Sequence, residues 1–473
     1  QMHCVSVKCG LETTLYVGSS LLHMYSKCGF VEHADKIFSS MPERNSASMN
    51  AIISAHSVID PRKVVLLYHR MIEEGFSPCE ITFASLLDSC KGEEAQHLGP
   101  QLHCAILKFG LDHEDEFLGS SLIRMYMNLS PPRTSVAVAF FSQLPNPKTV
   151  VLWTCVISGF VQCDCCEKAF LFFQEMRKLN VAPDQATFVT VLKASAVSSS
   201  LNYGRQIHSL VFLSGYHSDE LTCGSLVDMY AKCGEVPCSV KVFDEMGSKL
   251  NVSTWNSMIV GYAKNGYAED SLKVFDVMRE LKVKPDYVTI LGALTACSHA
   301  GKVHEGLEIF YGMEKCFHIQ PNADHCACVV DLLGRHGLLS EAERTIERFG
   351  FTSDAKVWAT MLGACAVHGD DCRGLNAAKK MIELEPQNSA GYVLLSNIYA
   401  AYGNWREVKV LRKKMKEKGV RKTPGCSWID VREKMNLFAA GDKSHAALNA
   451  VLQELHAHSK HIKYDYFIKY MVN

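Results

Sequence analysis

Residues 252–286 read "VSTWNSMIVGYAKNGYAEDSLKVFDVMRELKVKPD". Two apolar-periodic stretches lie on either side of the polar break at Asn265-Gly266, the pattern of two short helices joined by a turn. Pro285 ends the second helix, since proline lacks the N–H that would continue it. Ser271, Phe275 and Met278 follow at spacings of four and three, so they share one helical face. The small residue at 271 lets the second helix sit close against the first, and the two large ones anchor it. A hairpin of 35 residues cannot bury such a face alone, so copies must stack.

Copies run through the chain. "MYSKCG" at 24–29 returns as "MYAKCG" at 229–234, with Met125-Tyr126 between them. "QMH" at 1–3 returns as "QLH" at 101–103 and "QIH" at 206–208. "ITF" at 81–83 returns as "ATF" at 186–188 and "VTI" at 288–290. The super-period is just over 100 residues and divides into three. On the 252–286 template, units occupy 15–45, 46–79, 80–115, 116–149, 150–184, 185–219, 220–251, 252–286, 287–322 and 323–354. The small twentieth residue recurs as Ala34, Ala169, Ser239, Gly306 and Ala342. The anchor recurs as Phe38, Phe173, Phe243, Phe310 and Ile346, followed by Met41, Met176, Met246 or Met313 in all but the last. Such a period of helical hairpins implies an all-α solenoid.

Composition narrows the chemistry. Formal net charge is −1, so any phosphate-binding face must be built locally. No apolar run approaches the length that crosses a bilayer. The 20 cysteines are scattered without a pairing pattern and read as free thiols. A zinc deaminase needs H-x-E followed by P-C-x-x-C, and residues 1–473 contain no H-x-E. The one C-x-x-C, Cys163 to Cys166, has no second ligand pair at zinc spacing. His456, His458 and His461 read as a solvated tail. No Gly-rich phosphate loop and no G-x-S-x-G are found. The expectation is therefore no catalytic residue, no metal and no cofactor.

The hairpin that begins with Trp-Asn or Trp-Thr and ends in Pro-Asp resembles the pentatricopeptide repeat (PPR), and the alternation of three lengths resembles the plant PLS subclass. Units at 46, 150 and 252 resemble the P type, those at 80, 185 and 287 the L type, and those at 15, 116, 220 and 323 the S type. Residues 1–14 resemble the tail of an L-type unit. "VWATMLGACAVHG" (357–369) and "YVLLSNIYAAYGNWREV" (392–408) resemble two TPR-like E motifs, placed at 355–388 and at 389–473 with the tail, which carries "PGCSWIDV" (424–431) and "GDKSH" (441–445). The family often continues into a DYW cytidine deaminase domain, and this stretch does not. The resemblance implies a right-handed superhelical α-solenoid.

It also implies single-stranded RNA as ligand, read one base per unit by the fifth residue and the last. Asn256 with Asp286 is the family's uracil pair, Thr154 with Asp184 its guanine pair, and Ser19 with Asn45 an adenine-like pair. Asn50 with Cys79 points to a pyrimidine and Ser120 with Thr149 to a purine. Gly224 with Asn251 and Ala327 with Asp354 depart from the pattern, and Ala84, Val189 and Leu291 cannot bond a base edge. The implied site is A-Y-N-R-G-N-N-U-N-N, with an edited cytidine four nucleotides beyond it. Ser, Thr, Asn and Asp at these places also suit helix N-caps and turns.

Bases need flanking surfaces and phosphates need cations. The second residue of several units is bulky: Tyr16, Ile81, Phe117, Val151, Leu221 and Val288. The thirteenth is basic in four: Lys27, Lys232, Lys264 and Arg335, as phosphate partners or as solvated surface charges. Residues 405–422 hold nine basic residues against two acidic, either a solvated helix face or a contact to RNA or a partner. The resemblance as a whole implies a site-recognition factor for C-to-U editing of organellar transcripts, mitochondrial ahead of chloroplast. It would recruit a DYW-type deaminase in trans, with MORF-type cofactors on the L units. Alternatives are a role in transcript stabilisation, splicing or translation, and a protein-binding scaffold of the tetratricopeptide kind, in which Asn/Asp and Thr/Asp pairs would have no reason to recur.

Overall fold

The computed structural model describes residues 2–10, 14–92, 95–111, 116–145, 148–247, 250–422, 425–431 and 434–439. The His456, His458, His461 and "GDKSH" segments lie outside the described residues, as do residues 11–13 of the first partial unit. Two compact units are present, residues 1–300 and the remainder from Gly301.

In the first unit the leading helices of successive hairpins are Leu15–Lys27, Ser46–His56, Glu80–Ser89, Glu116–Asn128, Val150–Gln162, Gln185–Val197, Glu220–Lys232, Val252–Lys264 and Tyr287–Ala300. Each leading helix packs on the next leading helix, and up to Val252–Lys264 each also packs on the second helix of its own hairpin. The result is a stacked-hairpin α-solenoid. The small twentieth residues Ala34, Ala169, Ser239 and Ser271 are buried at the crossing. Ser239 and Ser271 each donate to a carbonyl of their own leading helix, Val227 at 2.9 Å and Ile259 at 2.7 Å. The anchors Phe38, Phe173, Phe243 and Phe275 and the methionines after them are buried. Phe243 meets Trp255 of the next hairpin edge-on, with centroids 5.1 Å apart.

The helix stop inside "MYSKCG" and "MYAKCG" is the glycine. Gly29 and Gly234 adopt φ of +76° and +79°, the left-handed region that a side chain disfavours. That turn lets the N–H of Phe30 reach the carbonyl of Tyr25, and that of Glu235 the carbonyl of Tyr230.

The second unit repeats the arrangement with leading helices Ala323–Arg335, Ala355–His368 and Ser389–Ala401. Arg373, in the helix Asp371–Leu384, ties that helix back to Glu343 at 3.0 Å. Helix Trp405–Glu417 packs on Ser389–Ala401 through Val408 and Leu411. An antiparallel hairpin, Cys426–Val431 paired with Lys434–Ala439, follows it, an element the helical expectation did not include.

Candidate nucleic-acid interface

The last residue of each complete unit is the N-cap of the next leading helix or stands at that place, that of unit 80–115 lying outside the described residues. Asn45, Asp184, Asn251 and Asp354 accept hydrogen bonds from first-turn N–H groups, and so does Asp286 from Thr289 N. This satisfies donors that no helix can satisfy internally. The bland role of these residues is thus realised, and the geometry gives four of the junctions a second feature: the fifth residue of the preceding unit reaches the same cluster.

At the 252/287 junction, Asn256 Nδ2 donates to both carboxylate oxygens of Asp286, at 2.9 and 3.0 Å. Asn256 Oδ1 accepts from Thr289 Oγ1 at 2.6 Å. Asn256 is only 6% exposed, and these bonds hold its amide on both sides. An Asn side chain has two N–H groups and two acceptor lone pairs. The two carboxylate oxygens lie side by side as seen from Nδ2, so one N–H is shared between them, and one donor and one acceptor remain unused.

At the 150/185 junction, Thr187 Oγ1 donates its single proton to Asp184 Oδ1 at 2.7 Å and lies 2.7 Å from Thr154 Oγ1. Thr154 is then the donor in that contact, and only its acceptor lone pairs are left. Asn50 Nδ2 donates to Cys79 Sγ at 3.2 Å, and Asn50 Oδ1 accepts from Thr82 Oγ1 at 2.5 Å. Ser19 Oγ lies 3.4 Å from Asn45 Oδ1, which is capped onto Ser48 N at 2.8 Å.

The remaining positions are arranged differently. Ser120 Oγ turns back to the carbonyl of Phe117, and Thr149 Oγ1 donates to Glu116 Oε2, so these two are not brought together. Gly224 lies where a Cβ would stand 2.8 Å from Thr254 Oγ1, which bonds Asn251. Ala327 is buried, while Asp354 caps Lys356 and Val357. At Asp219, burial pushes the carboxyl up, but hydrogen bonds from Gln185 and Thr222 outweigh it and hold the pKa below the ordinary 3.8.

The second residues face solvent: Tyr16 is 82% exposed, and Ile81, Phe117, Val151 and Leu221 are each more than half exposed. Val288 is half-buried. Single apolar residues on a surface are ordinary, and what distinguishes these is their recurrence at one place in the unit. An open groove of about 300 Å³ joins Val151, Thr154, Asp184, Ser120 and Arg124, so a flanking residue and a fifth/last pair line one space. Lys27, Lys232, Lys264 and Arg335 are all exposed. Lys232 pairs with Asp228 at 2.7 Å and Arg335 with Asp331 at 2.8 Å, one turn back on their own helices. Exposed pairs of that kind are weak and exchange readily.

Two features escaped the sequence reading. The third residue of the following unit, Ser48, Thr82, Thr187 or Thr289, supplies the hydroxyl that completes each cluster. Its signal was the recurring "ITF", "ATF" and "VTI". The recurring His and Tyr are also partners: Nδ1 of His3, His103 and His208 lies 2.7, 2.9 and 2.8 Å from the hydroxyl of Tyr25, Tyr126 and Tyr230. Each strut joins a second helix to the next leading helix. Among the described residues no group of three or more His, Cys, Asp and Glu is placed to hold a metal. No described helix is long and apolar enough to cross a membrane.

Stacked helical hairpins with polar clusters recurring at every third or adjacent junction define a helical-repeat protein. The PPR repeat family model matches residues 148–196 and 250–299, the PPR repeat model 19–46, 221–249 and 293–316, and the E motif model 368–430. A mitochondrial pentatricopeptide repeat-containing protein of Arabidopsis thaliana is 53% identical over 95% of this chain and 44% of its own length. A second Arabidopsis pentatricopeptide repeat-containing protein is 37% identical over 96% of this chain and 55% of its own. The chain thus spans about half the length of these relatives. The crystal structure of the pentatricopeptide repeat protein PPR10 in complex with an 18-nt psaJ RNA element superposes with a TM-score of 0.66 at 16% identity, over 88% of this chain and 62% of that one. The chain belongs to the pentatricopeptide repeat family and carries its E motif.

Proposed function

We propose that this chain binds single-stranded RNA, one nucleotide per unit, through the fifth and last residues, and specifies sites of C-to-U editing in organellar transcripts. The observation that carries the reading is the Asn256 cluster. Its amide is locked by Asp286 and Thr289 with one donor and one acceptor to spare, the complement a pyrimidine edge requires. Thr154 gives a consistent second letter: with its proton directed to Thr187 it offers acceptors only, which suit the N–H groups on the edge of guanine. The exposed second residues are suited to flank bases by stacking or apolar contact.

The PLS pattern and the E motif support editing over transcript stabilisation. On this reading a DYW-type deaminase acts in trans, with MORF-type cofactors on the L units. Relatives named mitochondrial and chloroplastic support an organellar home, the mitochondrion first.

Titration of the purified chain with A-Y-N-R-G-N-N-U-N-N RNA and with a scrambled RNA tests the reading. Asn256→Ala should cost about 1–3 kcal/mol of affinity on the matched RNA, and much less when the uracil is replaced. Equal binding to matched and scrambled RNA would sink the base-reading reading. Conversion of C to U by the chain alone with zinc would sink the trans assignment.

A further inference from the structure

We propose that helix Trp405–Glu417 is a second RNA-binding surface, sequence-independent, that takes the phosphates and one base of the strand 3′ of the read tract. It rests on the RNA-binding reading above.

At 3.6 residues per turn, Trp405, Lys409, Arg412 and Lys416 fall on one stripe, with Arg406 and Lys413 along its edge. All six are exposed. The buried residues Val408 and Leu411 lie about 100° round the helix from the middle of the stripe, and the helix packs on Ser389–Ala401. The helix has two carboxylates. Glu407 lies off the stripe, and Glu417 pairs with Lys413 at 3.7 Å. Among the described residues no carboxylate pairs with Lys409, Arg412 or Lys416. The stripe runs about 16 Å from Trp405 to Lys416.

Two independent features point to a nucleic acid. Unpaired cations in a row favour a polyanion, through release of its counterions. At the N-terminal end of the row stands an indole 62% exposed, a face on which a base can stack. Aromatic-plus-cation surfaces of this kind hold single strands without reading their sequence. A protein partner fits less well. Interface cores are poor in lysine, and the other exposed apolar residue of this helix, Val410, lies on a different face. Chain order sets the polarity: with the strand 5′ end at the first repeats, this helix follows the last reader.

The test compares, on the full chain, the ten-nucleotide RNA, the same RNA with eight further nucleotides at its 3′ end, and one with eight at its 5′ end. The wild type should gain affinity from the 3′ extension only. With three phosphates engaged, that gain should fall about 20-fold between 50 and 200 mM salt, a slope of about −0.7 per phosphate. Lys409→Glu/Arg412→Glu/Lys416→Glu should abolish the gain while leaving the ten-nucleotide affinity intact, which also shows that the variant is folded. Trp405→Ala should reduce the gain about fivefold or more. Lys414→Glu/Lys418→Glu, off the stripe near the C-terminal end of the helix, should keep most of it. Equal affinity of the wild type for short and 3′-extended RNA overturns the proposal, the outcome a surface built for an acidic protein would give, as does a triple variant that keeps the gain. Failure of the ten-nucleotide RNA to bind the wild type would instead overturn the base-reading proposal.

Discussion

Replacing Asp286 with Asn should leave the fold standing and blur one letter. Asn is as good an N-cap as Asp, so its carbonyl keeps the bond to Thr289 N now made at 2.9 Å. Thermal stability should shift little. The orientation of Asn256 is another matter. An ionised carboxylate only accepts, so Asp286 binds the amide by its Nδ2 side alone. An amide at 286 can accept from Nδ2 or donate to Oδ1, and both orientations of Asn256 become available. The bias lost is that of a hydrogen bond to a charged group, about 1.5–3 kcal/mol. Uracil and cytosine present opposite donor and acceptor patterns at the atoms that differ. Preference between them should therefore fall by about tenfold or more. Affinity for the uracil RNA should fall only about twofold, since half the population stays correctly oriented. Four RNAs differing at the facing nucleotide, titrated against wild type and Asp286→Asn, measure both quantities. An unchanged uracil preference in a folded variant would show that the amide orientation does not set the letter.

Gly261→Ala places a Cβ 2.6 Å from the Cβ of Ala231 on the neighbouring leading helix. Alanine favours a helix over glycine by about 1 kcal/mol, but overpacking costs about 1–3 kcal/mol. The melting temperature should fall, and a rise would mean the two helices can separate freely. Burial holds the His208 imidazole below its ordinary 6.5, so the folded state favours the neutral ring. This contribution is complete above pH 6.5 and erodes as pH drops through 6.5 towards the folded value. Denaturant unfolding of wild type at pH 8 and pH 5.5 should show a loss that is smaller in His208→Asn. Equal losses would place the proton elsewhere.

The hairpins were legible because each rests on local chemistry: Pro285 stops a helix, Gly234 turns the chain, and Ser271, Phe275 and Met278 share a face. The polar junctions between hairpins were half legible. Asn256 and Asp286 stand 30 residues apart in sequence, and their spacing was visible through recurrence. The Thr289 hydroxyl was not assigned, because a buried Thr in a strong helix looks like ordinary core. The His and Tyr recurrences were visible separately. Nothing in either motif shows that they meet, since their contact crosses from one hairpin to the next. The Cys426–Ala439 hairpin follows a long helical period, which biased expectation towards more helix.

On the proposed reading, one amino acid both starts a helix and meets a nucleotide. Retargeting such a protein by changing its terminal residues is confined to side chains that can begin a helix, chiefly Asn, Asp, Ser and Thr. Any other choice would loosen the following hairpin along with the letter. The vocabulary available for drift towards new transcripts is thereby restricted at that place, while the fifth residue, which starts nothing, is the freer of the two to vary.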